Sequence, residues 1–164
     1  MDINYYKKYE PIDGKWLITK KLGNGAFGTV FEIARKNIPD IKSALKIKSS
    51  EELQRLKEEN YDIDNKSITS FYSGLVDDCI KEFQLMSKLR GNSNIVSYED
   101  HNVIEKQDGE FGWDIFIRME LLIPIVQYFT DNAPTQQDII KLGIDICKAL
   151  EVCGKYNIIH RDIK

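Results

Sequence analysis

The sequence predicts an α+β fold, with an antiparallel, strand-rich first part carrying one main helix and a helical part after it. Three observations carry this. Short β-branched runs separated by turn residues fill the stretch from Trp16 to Lys48. A helical apolar stripe runs from Leu75 to Leu89. A second helical stripe follows Thr135, beyond Pro124.

Taken in order, Trp16-Leu17-Ile18 leads into a glycine turn, and Thr29-Val30-Phe31-Glu32-Ile33 leads out of it. A polar loop with Pro39 is expected next, then a strand over Ser43-Ala44-Leu45-Lys46-Ile47. Three short strands joined by turns make an antiparallel meander. From Ser49 to about Gly74 the chain turns charged and polar, so one short exposed helix and a loop are expected, entered through the capping-box pattern Ser49-Ser50-Glu51-Glu52.

In the main helix Leu75, Cys79, Glu82, Met86 and Leu89 recur at steps of four and three, and Gly91-Asn92 ends it. Two more strands are expected, over Val103-Ile104-Glu105 and over Trp113 to Met119, flanking a turn at Gln107-Asp108-Gly109. Trp113, Ile115, Ile117 and Met119 share one face at period two. Thr135-Gln136-Gln137-Asp138 caps the last helix, whose stripe is Ile139, Leu142, Ile146, Leu150 and Cys153, with Gly154 closing it. Three segments result: an extension over 1–15, a strand-rich unit over 16–122 with a charged insertion at about 49–74, and a helical beginning over 123–164.

Composition narrows the function classes. Of 164 residues, 42% are hydrophobic and 30% charged, which is ordinary globular material with enough apolar mass for a core. A net charge of -3 offers no basic excess for phosphate backbones, so no nucleic-acid partner is expected. Cys79, Cys147 and Cys153 form no CxxC pair, and only His101 and His160 could join them, which argues against structural zinc. No apolar run approaches membrane-spanning length and the N-terminus has no signal-type core, so a cytoplasmic chain with no membrane partner is expected.

Four features carry chemistry. Gly23-Asn24-Gly25-Ala26-Phe27-Gly28-Thr29-Val30 fits G-x-G-x-x-G-x-V. Glycines between strands often only make a hairpin, and a dinucleotide fold would need a helix straight after the turn. The run Thr29-Val30-Phe31 favours strand-turn-strand instead, in which glycines let backbone amides approach phosphate oxygens. Lys46 lies one strand and one turn further on and shares a face with Ala44, within reach of a nucleotide under the glycine loop; a solvated edge lysine would read the same way. Glu82 is a carboxylate in a stripe that should be apolar; it either wants a cation, with Lys46 the obvious partner, or lies at the stripe's rim. Finally, His160-Arg161-Asp162-Ile163-Lys164 follows an apolar helix and the strand-like Ile158-Ile159.

Glycine loop, strand lysine, helix glutamate and HRDxK in this order resemble the protein kinase superfamily, over roughly Trp16 to Lys164. The form is similar to the N-terminal portion of a eukaryotic-like (Hanks-type) serine/threonine protein kinase domain, and the wording of the later segments looks most like Firmicutes-type bacterial enzymes. The resemblance implies a β-rich lobe with one main helix and the first helices of a larger lobe.

It implies ATP as cofactor, with Gly23, Asn24, Gly25, Ala26, Phe27 and Gly28 over the phosphates, and Leu22, Val30 and Ala44 on the adenine ring. Lys46 would hold the α- and β-phosphates and pair with Glu82. Met119 would be the gatekeeper, with Glu120 and Leu122 offering backbone groups to adenine. Asp162 would orient the hydroxyl of a protein substrate, Lys164 would neutralise the phosphoryl group in the serine/threonine-specific manner, and His160 and Arg161 would be structural and regulatory.

Two departures stand out. The stretch from Lys46 to Glu82 is longer than usual, by the charged insertion, which brings in Glu58 and Glu59 as weaker rival partners. The family's asparagine and DFG, which hold Mg²⁺, belong after HRDxK and are not among these residues, so the 164 residues by themselves are expected not to transfer phosphate. The other readings are an ATP-binding pseudokinase or regulatory module without phosphotransfer, and, ranked last, a small-molecule phosphotransferase. The uncovered stripe of the last helix implies a chain that aggregates or stays molten when isolated.

Overall fold

The computed structural model describes residues 3–25, 28–49, 65–106 and 112–159. The helix expected after Ser49, the turn at 107–109, Ala26, Phe27, Glu58, Glu59 and the segment His160 to Lys164 fall outside the described residues.

One five-stranded antiparallel sheet organises the chain. Its strands are β1 (Trp16–Gly25), β2 (Gly28–Arg35), β3 (Ile38–Ser49), β4 (Tyr98–Glu105) and β5 (Trp113–Met119), in the spatial order β1-β2-β3-β5-β4. The meander from β1 to β3 matches the expectation. Strand β3 is longer than expected: it begins at Ile38 and takes in Pro39, where a loop was anticipated. Proline donates no ladder hydrogen bond, which it tolerates here because the first register pair of β3 is Ile38 with Arg35 and the next is Lys42 with Ala34. Strand β4 likewise starts five residues early, at Tyr98.

Period two sorts the side chains onto two faces. Ile18, Phe31, Ile33, Leu45, Ile47 and Phe116 lie on the outer face and form one core cluster. Ile115, Ile117 and Met119, the face expected for β5, lie on the inner face. Phe116 and Asp114 on the opposite side of β5 are buried as well, because β5 is an interior strand covered on both faces.

The outer face is closed by residues that precede the sheet. Helix α1 (Ile3–Tyr6) and a 3₁₀ turn (Lys7–Tyr9) set Tyr6 fully out of solvent, edge-on to Phe31 and Phe116. Tyr9 packs on Phe116 and donates its hydroxyl to Asp114 Oδ2 at 2.7 Å. The N-terminal extension is thus part of the core, a role that composition did not show.

Helix α2 (Asn65–Leu89) covers the inner face and starts ten residues before the expected stripe. Its most buried described residue is Phe83, stacked on Tyr98 and close to the ring of His101. Val76, Cys79 and Met86 pack around it. Glu82 lies at the rim of this stripe rather than within it, with its side chain about half exposed. The helix ends as expected: Gly91 takes φ +87° and the Asn92 amide donates to Leu89 O.

After β5 come α3 (Ile125–Asn132), which the sequence did not signal, and α4 (Gln136–Lys155). The cap of α4 is the expected one. Thr135 accepts from the Asp138 N–H at 3.3 Å, and the Asp138 carboxylate accepts from the Thr135 N–H at 2.9 Å. Hydrogen bonds from the Thr135 hydroxyl and N–H hold the Asp138 carboxyl below its usual range. Of the apolar stripe on α4, Cys153 is buried, whereas Ile139, Ile146 and Leu150 are exposed. No helix among the described residues is long and apolar enough to cross a membrane.

Candidate functional site

The glycine turn joins β1 to β2, with Gly25 paired to Gly28 and Asn24 to Thr29. The Thr29 hydroxyl donates to Asn24 Oδ1 at 3.0 Å and ties the two arms together. Gly28 has φ +118°, and a Cβ there would lie 2.3 Å from the Ile47 carbonyl oxygen. Only glycine fits so close to β3 in that conformation. The start of β2 is therefore packed directly beside the strand that carries Lys46.

Along β3, Leu45 and Ile47 enter the outer core, which turns Ala44, Lys46 and Lys48 to the inner face. Val30 lies opposite Lys46 in the β2–β3 register, and Met119 lies opposite Ala44 in the β3–β5 register. Ala44 is buried, while Met119 is partly buried against the inner cluster. The expected adenine wall, lysine and gatekeeper are thus brought together on one face. Leu22 and Leu122 are exposed. The Glu120 N–H donates to Ser97 O at 2.9 Å, and its carboxylate accepts from the Ser97 N–H at 3.2 Å. Those bonds fix the segment leaving β5 against the chain entering β4.

The helix glutamate does not make the contact expected of it. Glu82 Oε2 accepts from Lys48 Nζ at 2.8 Å, and the same ammonium lies 3.7 Å from Cys79 Sγ. The rows of β3 explain this, since Lys46 and Lys48 have the same parity and both face α2. Lys46 is held below its ordinary basicity first by burial and then by the positive charge of Lys48, with Glu82 and Cys79 acting in the opposite direction. Sequence reasoning missed Lys48. Its signal was present: a lysine two positions after Lys46, where an inward-facing strand residue should be apolar.

The other face of the sheet is arranged differently. Arg118 stacks over Trp16 at 4.8 Å and is clasped by Glu99 and Asp100. A cavity of about 330 Å³ lies beside this cluster, lined in part by Lys15, Arg35 and Ser43. Burial and the negative charge of Asp13 raise the Asp100 pKa, and burial lowers that of Arg118. Neither shift bears on the inner face. Among the described residues no group of three His, Cys, Asp or Glu is placed to hold a metal ion.

Residues 17–164 match the family model described as protein tyrosine and serine/threonine kinase. The chain belongs to the protein kinase family. Its curated relatives include the serine/threonine-protein kinase AKL1 of Saccharomyces cerevisiae, 33% identical over 92 residues. That alignment takes in 51% of this chain and 8% of the yeast protein, so the chain spans a small part of the length of the relative it matches. The family accounts for the fold: the antiparallel sheet with α2 on its inner face is a kinase-like N-lobe, and α3 and α4 follow it.

Proposed function

We propose that this chain is the ATP-binding part of a serine/threonine-specific protein kinase. The observation that carries the reading is the inner face itself. Gly28 packs against β3 at the end of the glycine turn, with Val30, Ala44, Lys46 and Met119 on one face of the sheet and Glu82 on the facing helix.

These residues fit a nucleotide triphosphate. The apolar group of Val30, Ala44 and Met119 offers a ring-sized surface. The glycine turn offers backbone amides, and Lys46 offers an amine on the same face whose basicity burial lowers. Asp162 and Lys164 would serve the hydroxyl and the transferred phosphoryl group, and Arg161 a phosphorylated loop. Mg²⁺ would be held by the asparagine and aspartate that the family pattern carries after Lys164. Bound there, the metal neutralises charge on the phosphates. The three segments 1–15, 16–122 and 123–164 would correspond to an extension, the nucleotide-binding lobe and the start of the substrate lobe.

The division of labour follows. The inner face binds and orients ATP, and phosphoryl transfer to a protein serine or threonine needs the metal ligands and substrate platform of the larger lobe. The inner-face residues are accordingly expected to bind nucleotide. A binding module that never transfers phosphate predicts the same affinity, and it differs in yielding no product from the whole protein either. The position of Glu82 on Lys48 favours keeping that second reading in view.

The test is titration calorimetry with Mg·ATP on the chain and on Lys46→Met. Loss of at least about tenfold in affinity is expected when a phosphate-binding cation is removed, which is about 1.4 kcal/mol. Equal affinity for the two would remove Lys46 from the site and overturn the reading. In the whole protein the same substitution should abolish autophosphorylation.

A further inference from the structure

Every strand of the sheet contributes to the cavity of about 330 Å³ on its outer face. Trp16 comes from β1, Arg35 from β2, Ser43 from β3, Arg118 from β5 and Asp100 from β4. By strand parity these residues lie on the side opposite Lys46, so the cavity is separate from the proposed nucleotide site.

Charge is spread unevenly across it. At the β4 end the Arg118 Nε–H donates to Asp100 Oδ1 at 3.0 Å, and the same guanidinium pairs with Glu99. The buried Ser43 hydroxyl donates to that Glu99 carboxylate at 3.3 Å. Lys42, on the rim, is paired with Glu32 at 2.9 Å. Uncompensated charge is left at the β1–β2 end. Arg35 stands directly opposite Trp16 in the register of those strands, and among the described residues its guanidinium has no ion pair or hydrogen bond. The Lys15 ammonium has none either and acts on Asp100 only through space. Arg35 also lies close enough to Arg118 to oppose its charge. Two carboxylates offset Arg118, and none offsets Arg35. The lining beside Arg35 is apolar, from Trp16 and from Ile41, which is 42% exposed.

We infer that this cavity is a docking site for an acidic peptide of a partner protein, in which one glutamate or aspartate side chain pairs with Arg35 and an adjacent apolar side chain rests on Ile41 and Trp16.

The chemistry of the cavity selects that occupant. A guanidinium fork takes a carboxylate through two parallel, charge-assisted hydrogen bonds. A phosphorylated side chain is a poorer match, because its second negative charge would meet Asp13, Glu99 and Asp100 in the same cavity. A free small molecule is a poorer match too. Pockets for such ligands enclose most of the ligand surface, whereas Asp13, Lys15, Ile41 and Lys42 along this rim are exposed. The volume suits one or two side chains whose backbone stays outside. The bonds of Arg118 and Ser43 hold the lining in place without a ligand, so docking needs little rearrangement.

The experiment is a nuclear magnetic resonance titration of the chain labelled with ¹⁵N in its two tryptophans, Trp16 and Trp113. The probe is a capped pentapeptide of leucine and alanine with one central glutamate. Millimolar peptide should shift the Trp16 indole signal and leave that of Trp113 in place. A peptide with glutamine at the centre should bind at least about tenfold more weakly, as expected for loss of a hydrogen-bonded charge. Arg35→Gln should weaken the glutamate peptide to the same degree. Lys36→Gln, an equal loss of charge at an exposed neighbour outside the cavity, should change its affinity by less than about twofold.

Equal binding of the glutamate and glutamine peptides would overturn the inference, as would equal binding by the natural chain and Arg35→Gln. Tighter binding of a phosphoserine peptide would overturn the choice of a carboxylate, and a Trp16 signal that does not move would remove the site. The peptide comparison uses the natural chain, so the test stands even if Arg35→Gln does not fold.

Discussion

The sheet lobe and the last two helices are built from equally apolar stretches, yet they hide them to very different degrees. Every buried apolar residue among the described residues, Cys153 excepted, lies at or before Ile117. In α3 and α4 the large apolar side chains are largely in contact with solvent: Val126 is 74% exposed and Ile144 50%. The sheet closes on both sides, with the N-terminal segment on its outer face and α2 on its inner face. Periodicity therefore reports which face of an element is apolar, and only a partner makes that face a core.

The same substitution placed in each region measures the difference. Leu45→Ala, in the outer core at 2% exposure, should cost about 2–5 kcal/mol in a urea melt followed by tryptophan emission. Trp16 and Trp113 both report on the lobe. A cost below 1 kcal/mol would mean that the outer core is not closed as described. Next in size is Tyr9→Phe, which removes the hydroxyl held by Asp114. That carboxylate is fully buried and its Oδ1 has no partner among the described residues, so loss of the donor to Oδ2 should cost about 1–3 kcal/mol. An unchanged melt would show that the N-terminal segment adds only apolar contact.

On the other side of the comparison, Leu150→Ala should stay within about 0.5 kcal/mol in the same melt, because the side chain is exposed and leaves no cavity. A penalty as large as that of Leu45→Ala would erase the distinction between the regions. The smallest effect concerns pH. The Asp138 carboxyl is held below its ordinary 3.8 in the folded chain by its bonds to Thr135. Its contribution to α4 is thus complete above that value and lost as pH falls through the lower, folded one. Far-ultraviolet circular dichroism should show a small acid loss of helicity that Thr135→Ala has already lost at neutral pH. An identical acid profile in the two chains would dismiss the cap.

Much of the fold was legible because it rests on local rules. The glycine turn, the parity of Ala44, Lys46 and Met119, and the capping box at Thr135 all follow from period and turn chemistry, and the structure places them as expected. What was hidden depends on neighbours. Tyr5, Tyr6 and Tyr9 flank Lys7 and Lys8 over too few residues to signal a buried element, and only the outer face of the sheet gives Tyr6 its place. Phe83 was overlooked because the stripe was drawn one position away, through Glu82.

The candidate site was legible to the same depth. Strand parity brought Lys46 to the face that α2 covers, but Lys48 has the same parity, and no sequence rule chooses which of two lysines a helix glutamate meets. That choice lies in the seat of α2 on β4 and β5, set by Phe83 against Tyr98.

The contact between Tyr9 and Asp114 joins residues 105 positions apart in the chain. The outer core thus joins residues that precede the first strand of the lobe to residues of its last strand. While the chain is being made, Ile18, Phe31 and Ile33 emerge long before β5 arrives to complete their cover, and Tyr6 must wait with them. Contacts of such long range slow folding and lengthen the interval in which apolar surface is bare. For this lobe, the moment of greatest need for a chaperone falls between the emergence of β3 and that of β5, an interval that the long stretch between Lys48 and Tyr98 extends.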